Sequence, residues 1–337
     1  MVGRTQRVVI DGEESEECTV DSGVPQGSVL GPLLFIIFIN DIAANIDPAT
    51  CIRLFADDAL LYRRIDTVED HLKLQADLSS LQTWADQWGM TFNTDKCYSM
   101  HIMTKKKRKD TVSIPYNMNG TELERVSNTK YLGATISDDL SWKTHNERAA
   151  GKAHGMISFL QRNLWMLPER LREQAYTTIV RPGLEYASSI TDPYRPGEIQ
   201  RLEKVQRHAA RFVTNNPRTR FNPDEEQVSV TDLVKDLKWQ SLEERRKQSR
   251  CTLMFRVKQD LVAVPDEYKP AAHGRVLRST SRGNLPRARR VRNNIGTAWD
   301  MSFLPRTCRD WEQLQLHPAA KTASKLGAFK AALQPRV

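Results

Sequence analysis

Leu54-Phe55-Ala56-Asp57-Asp58-Ala59-Leu60-Leu61-Tyr62 places two adjacent carboxylates inside a run that is otherwise almost wholly apolar. Cys51 to Phe55 and Ala59 to Tyr62 each read as short buried strands, which puts Asp57 and Asp58 in the tight turn of a hairpin. Charges flanked by core strands cost free energy unless a cation meets them, and hard divalent cations prefer carboxylate oxygen. The pair is therefore a candidate metal site. Read by itself, it fits a solvated Asp-Asp turn equally well, because Asp is a common turn residue.

Upstream of the turn lies Ser22-Gly23-Val24-Pro25-Gln26-Gly27-Ser28-Val29-Leu30-Gly31-Pro32, a shaped loop with three glycines and two prolines. The apolar run from Leu33 continues through Ala43, Ala44 and Ile46, and its length and the early Pro32 predict a buried helix. Such a loop can present backbone N–H groups to a phosphate or nucleotide, and an ordinary turn accounts for it as well. Earlier still, Arg7–Ile10 and Cys18–Val20 flank Asp11-Gly12, which predicts a hairpin.

Downstream, Thr67 followed by Asp70 predicts a capping box, and Leu74, Leu78, Leu81, Ala85 and Trp88 recur at helical spacing until Gly89. Phe92 to Cys97 leads into a strand through His101 and Ile102. The basic loop Lys105–Lys109 reads as a solvated loop, a phosphate contact or an import signal. Asn119-Gly120 predicts another hairpin turn and Lys130–Ile136 a strand. From Trp142 the pattern becomes helical. One helix carries Ile157, Leu160 and Leu164, and another opens at Pro168 with Leu171, Ala175 and Ile179. A third carries Ile199, Leu202, Val205, Ala209 and Phe212, opposite a basic face of Arg201, Lys204, Arg207, His208 and Arg211. Residues 214–227 read as a linker and 231–258 as helical, with a final helix near the end. Seven arginines and no acid between Arg275 and Arg292 describe a flexible, polyanion-seeking arm.

The formal charge of +9 is unevenly spread. Residues 1–60 hold three Arg against ten Asp or Glu, a net of −7, so the remaining 277 residues carry +16. An acidic head on a basic body suits a metal centre beside a polyanion track. Five widely spaced cysteines without a C-x-x-C pair argue against a zinc knuckle and a disulfide scaffold and favour a reducing compartment. The longest apolar run, Leu33 to Ile39, is seven residues, far below the roughly 20 that cross a bilayer. With no secretory or transit signal, the expectation is a soluble, intracellular protein with no membrane partner.

These residues, in this order, resemble the reverse transcriptases of non-LTR retrotransposons, in particular the jockey-like branch. Ser22 to Pro32 with Ile39-Asn40-Asp41 resembles motif B, and Phe55-Ala56-Asp57-Asp58 resembles motif C. Asn93-x-x-Lys96 resembles motif D, and Tyr131-Leu132-Gly133 the primer-grip motif E. Arg181 to Ser188, Gln206 to Phe212 and Phe303 to Trp311 resemble the thumb, post-thumb and C-terminal regions. The resemblance implies an α+β fold: a partial right-hand polymerase palm, an antiparallel sheet backed by helices, over residues 1–140. A helical thumb (141–213), a linker (214–228) and a helical C-terminal region (229–337) would follow.

The activity implied is RNA-directed DNA polymerisation, nucleotidyl transfer with two Mg²⁺ ions. Asp57 and Asp58 would be metal ligands, and Lys96 would protonate the pyrophosphate. Gln26 and Gly27 would line the nucleotide and template pocket, with Phe55 on the same substrate side, and Tyr131, Leu132 and Gly133 would hold the primer end. The partners would be an RNA template, a DNA primer, their duplex and dNTP, in a ribonucleoprotein of nucleus or cytoplasm. The family's third carboxylate, from motif A, has no match here: Asp11 lies in a turn, and Asp21 is in the short stretch just before motif B. The expectation is a C-terminal portion with an incomplete two-metal site that gives no primer extension by itself. The alternative is a non-catalytic RNA- or DNA-binding remnant.

Overall fold

The computed structural model describes residues 3–20, 23–25, 27–103, 114–216, 229–265, 269, 302–314, 319–320 and 323–333. They belong to two compact units, residues 1–99 with 111–126, and residues 100–110 with 127–337. The mixture of helices and small sheets is of the α+β class, and every sheet among the described residues is two-stranded.

In the first unit, β1 (Arg4–Gln6) pairs antiparallel with β4 (Cys18–Val20), and β2 (Val9–Ile10) pairs with β3 (Glu13–Glu14). Asp11 and Gly12 both have positive φ, 53° and 91°, as a two-residue hairpin loop demands. That tight loop sets Ile10 opposite Glu13, so Cys18–Val20 finds its partner in Arg4–Gln6 instead of in the expected Arg7–Ile10 segment.

Helix α1 (Leu30–Ile39) is shorter than the predicted element and, contrary to expectation, largely uncovered: Ile36 is 60% and Ile37 65% exposed. An apolar run without a polar face does not specify which side is covered. Beyond the helix, Ile42 enters the core with Leu81, Trp84, Ala85, Tyr116, Met118 and Leu123. The strands β5 (Cys51–Phe55) and β6 (Asp58–Tyr62) form a hairpin that covers only part of one face, so Leu54, Phe55 and Tyr62 are exposed where burial was expected.

Helix α2 (Val68–Gln87) begins with the predicted box: Thr67 Oγ1 accepts from Asp70 N–H and Asp70 Oδ2 accepts from Thr67 N–H. It stops at Gly89, whose φ is 66°. A 3₁₀ turn (Thr94–Lys96) follows, and the predicted strand shrinks to β7 (Tyr98–Ser99). The hairpin β8 (Asn117–Met118) to β9 (Thr121–Glu122) turns at Asn119-Gly120 as predicted, and β10 (Glu124–Arg125) runs parallel to β7.

The second unit opens with β11 (Asn128–Tyr131) and β12 (Ala134–Ser137), an antiparallel hairpin where one strand was expected. The break falls at Leu132-Gly133, both with positive φ. Helix α3 (Lys143–Leu164) lies against α7 (Pro196–Val213), with Ile157, Leu160, Leu202, Val205, Ala209 and Phe212 in their shared core. Between them run α4 (Glu169–Ala175), a π-helical segment (Tyr176–Val180), α5 (Arg181–Glu185) and α6 (Ser188–Thr191). Here the expected face is shifted by one residue: Leu171 and Ile179 are exposed, while Arg172, Tyr176 and Val180 are buried. Buried Arg172 donates to the carbonyls of Trp165 (3.0 Å) and Val213 (2.9 Å), the C-terminal ends of α3 and α7, which suits the helix dipoles.

Helices α8 (Val230–Asp236), α9 (Leu242–Lys258), α10 (Phe303–Leu314) and α11 (Leu326–Leu333) complete the unit. Asp192 is buried among Arg246 (2.7 Å), Arg306 (3.1 Å) and Arg250, and Arg250 also reaches Asp310 at 2.6 Å. The Lys105–Lys109 loop, residues 217–227 of the linker and the Arg275–Arg292 arm lie outside the described residues. Among the described residues no helix is long and apolar enough to cross a membrane.

Candidate active site

The β5–β6 hairpin aligns Phe55 with Asp58, leaving Ala56 and Asp57 as its two-residue turn. Ala56 takes the left-handed conformation, with φ of 51°. The expectation that both carboxylates occupy the turn is thus corrected: Asp57 is in it, and Asp58 is the first residue of β6. Alternation along paired strands puts Asp58 on one face with Phe55, Arg53, Leu60, Tyr62 and Cys51. The opposite face carries Ile52 and Leu61, which pack on the core under α2. Asp57 and Asp58 are both exposed, and so is Phe55, at 62%.

Three polar contacts hold this hairpin in its unit. Arg63, one residue past β6 and only 5% exposed in its side chain, bonds Asp47 Oδ1 (2.8 Å), Thr50 Oγ1 (3.0 Å) and Asp70 Oδ1 (3.4 Å). It thereby ties the segment after α1 and the start of α2 to the end of the hairpin. The Ala49 N–H and then the Arg63 guanidinium hold the Asp47 carboxyl below its ordinary value. The Thr67 hydroxyl does so first for Asp70. This clamp was not legible in sequence, where Arg63 is one charged residue after a strand.

The loop before α1 is shaped by glycines at two points. Gly27 has a φ of 78°, and a Cβ on Gly31 would stand 2.8 Å from Pro25 O. Ser28 Oγ fastens the bend, donating to Pro25 O (2.7 Å) and accepting from Gly31 N–H (3.0 Å). Gln26 lies outside the described residues. Past α1, Asp41 accepts from Trp84 Nε1 at 2.9 Å, which seats the Asn40-Asp41 pair against α2. Lys96 ends the 3₁₀ turn, is exposed, and is presented by Asn93, whose carbonyl oxygen accepts Lys96 N–H (3.0 Å) and whose side chain accepts Asp95 N–H (3.1 Å).

In the other unit, Tyr131, Leu132 and Gly133 form the tip of the β11–β12 hairpin. Tyr186 Oη donates to Leu132 O at 2.7 Å, and its ring lies where a Cβ on Gly133 would come within 3.0 Å. The residue that locks this turn was missed in sequence, although Tyr186 stood in a quoted motif, because 54 residues separate the partners. The sequence-predicted site residues therefore divide: Gly27, Phe55, Asp57, Asp58 and Lys96 in the first unit, and Tyr131, Leu132 and Gly133 in the second.

No group of three or more His, Cys, Asp and Glu side chains gathers to hold a metal among the described residues. Asp57 and Asp58 are an all-oxygen donor pair, which fits a hydrated Mg²⁺ completed by water and phosphate oxygen. They do not by themselves satisfy two ions.

The family described as reverse transcriptase (RNA-dependent DNA polymerase) matches residues 3–136, a span that includes the loop before α1 and the β5–β6 turn. The RNA-directed DNA polymerase from mobile element jockey of Drosophila funebris is 29% identical over 228 residues, 64% of this chain and 24% of that protein. The probable RNA-directed DNA polymerase from transposon BS of Drosophila melanogaster is 28% identical over 241 residues, 66% of this chain and 25% of that one. The corresponding protein from transposon X-element of the same fly is 24% identical over 222 residues, 63% and 24%. The chain spans about a quarter of the length of these relatives.

Proposed function

We propose, on the premise that residues 3–136 are a reverse transcriptase segment of the jockey-like, non-LTR retrotransposon kind, that this chain serves RNA-directed DNA synthesis. The observation that carries the proposal is the coincidence of the family match with a hairpin whose turn exposes Asp57 beside Asp58. These two carboxylates would hold Mg²⁺. When bound, such an ion lowers the pKa of a primer 3′-hydroxyl and stabilises the leaving pyrophosphate.

The chain's own residues do the rest. Asp57, in the loop, and Asp58, fixed by its place in β6, offer oxygen on the hairpin's uncovered side. The bend at Gly27 and Gly31, with Gln26, would border the incoming dNTP and the template, and Phe55 would contact substrate from the hairpin. Lys96, held out by the Asn93 turn, would give a proton to the pyrophosphate. The Tyr131–Gly133 tip, pinned by Tyr186, would grip the primer end. The basic face of α7 would follow the RNA–DNA duplex through sugar and phosphate contacts.

Primer extension on an RNA template with Mg²⁺ tests the assignment. The chain by itself is expected to give no product; joined to the upstream segment of a full-length jockey-like polymerase, it should give synthesis that falls by about 10²-fold or more in Asp57→Ala, on the scale by which metal sites respond to lost ligands and their supports. Synthesis indifferent to Asp57→Ala overturns it. Salt-sensitive duplex binding with no synthesis by the joined protein would instead support the non-catalytic nucleic-acid-binding reading.

A further inference from the structure

The hairpin that carries Asp57 and Asp58 has two registers open to it. In the structure Phe55 faces Asp58, and Ala56-Asp57 is the loop. Sliding β6 by two residues would pair Ala56 with Ala59 and make Asp57-Asp58 the loop. Turn chemistry favours the slid form, because the first loop residue is left-handed, at φ 51° in the structure, and Asp accepts that conformation more readily than Ala. Alternation does not choose between the two, since a slide of two residues leaves Ile52 and Leu61 on the core side. The observed register is therefore set from outside the turn.

At the open end of the hairpin, Thr50 and Arg63 stand one step beyond the last pair, Cys51 with Tyr62. Arg63 Nη1 donates across that step to Thr50 Oγ1 at 3.0 Å and also to Asp47 Oδ1 at 2.8 Å, and Nη2 reaches Asp70 Oδ1 at 3.4 Å. Both carboxylates are fixed by groups outside the hairpin. Asp47 Oδ1 accepts Ala49 N–H at 2.8 Å, and Asp47 N–H donates to Asp77 Oδ1 at 2.9 Å. Asp70 is held in the box that opens α2. A slide of two residues would carry Arg63 about 6.7 Å along the partner strand, at roughly 3.3–3.4 Å per residue. That displacement breaks the bond to Thr50 or the bonds to Asp47 and Asp70.

We propose that Arg63 is a positioning residue for the divalent-cation site, selecting the register that keeps Asp57 in the loop and Asp58 in β6. Its effect on the cation rests on the metal-site reading, and its hold on the register does not. In the observed register the pairing with Phe55 fixes the backbone of Asp58, and only Asp57 is left to the loop. In the slid register both carboxylates ride in the loop, and the cost of ordering them falls on cation binding.

The test is NMR of the isotope-labelled full chain, reading cross-strand Hα–Hα contacts and the Mn²⁺ concentration that broadens the amides of Ala56 to Ala59. The pair flanking a two-residue loop exchanges both hydrogen bonds, so the close Hα pairs alternate with it. They are expected at Leu54–Ala59 and Ile52–Leu61 in the unsubstituted chain. Contacts at Phe55–Leu60 and Arg53–Tyr62 there, with no variant needing to fold, overturn the proposal. Arg63→Met is expected to show the second set and to weaken Mn²⁺ binding by about tenfold or more, the scale on which lost orienting partners act. Arg63→Met that keeps the first set overturns the proposal whatever its affinity. Arg63→Lys keeps the charge and loses the planar fork, and is expected to show the second set as well. Full recovery of register and affinity by Lys would assign the role to charge and overturn the selection of register. Should Arg63→Met fail to fold, Thr50→Val removes only the hydroxyl that Arg63 meets across the hairpin and leaves both ion pairs. Both sets of contacts are expected in it, and the first set alone overturns the proposal. An unsubstituted chain that shows the first set and binds no Mn²⁺ removes the metal-site reading, and the contacts in the variants still decide whether Arg63 sets the register.

Discussion

The tip of the β11–β12 hairpin gives a sharp prediction because two independent features meet there. Gly133 has a φ of 81°, and a Cβ would come within 3.0 Å of Tyr186 Cε1. Gly133→Ala therefore loses on two counts. The left-handed backbone costs an L-residue about 1–2 kcal/mol, and the new methyl must displace the ring that donates to Leu132 O. That hydrogen bond contributes about 0.5–1.5 kcal/mol, at the lower end here because Tyr186 is 55% exposed. Gly133→Ala is expected to destabilise the hairpin by about 2 kcal/mol. Tyr186→Phe should do so by about 0.5 kcal/mol, since it keeps the ring and loses only the hydroxyl. In a Tyr186→Ala background the methyl meets no ring, and Gly133→Ala should cost only the backbone part, about 1 kcal/mol. Native-state hydrogen exchange of a peptide over residues 128–137, followed against urea, reads these differences locally. A Gly133→Ala cost below about 0.3 kcal/mol, or one unchanged by removing Tyr186, would show that neither the left-handed backbone nor the Tyr186 ring constrains this turn.

Two further outcomes follow from the second unit. Leu202 is fully buried between α3 and α7, so Leu202→Ala should destabilise the unit by about 2–5 kcal/mol in urea unfolding. His145 Nδ1 accepts Thr135 N–H at 3.2 Å, and burial pushes its pKa below the ordinary value near 6.5. The folded state therefore favours neutral His145. The stability this contributes is complete above about pH 6.5 and is lost as pH falls below that value. Melting temperatures measured from pH 7.5 to 5.5 should decline, and part of the decline should vanish in His145→Asn.

Local chemistry was legible wherever the interaction spans a few residues. The Asp11-Gly12 and Asn119-Gly120 loops, the Thr67–Asp70 box and the apolar face of α7 all appear as read. What escaped is non-local. The Arg63 clamp, the Tyr186 lock and the Asp192 cluster join residues far apart in sequence, and no periodicity announces them. Along α4 and the π-helical segment burial falls on Arg172, Tyr176 and Val180 and not on Leu171 and Ile179; both sets recur every four residues, so spacing alone does not choose between them. The exposure of α1 shows that apolar composition alone does not decide which face is covered. At the candidate site, residue types were readable and their setting was not. The Phe55–Asp58 pairing moved Asp58 out of the turn and into a strand.

Asp57 and Asp58 are proposed to hold a divalent cation. Titrating Mn²⁺ into the isotope-labelled chain and following backbone amide line widths measures this directly. Selective broadening is expected at Ala56 to Ala59, reversed by excess Mg²⁺ and abolished in Asp57→Asn/Asp58→Asn. Sharp signals at those amides at millimolar Mn²⁺, or equal broadening in the double variant, would contradict it.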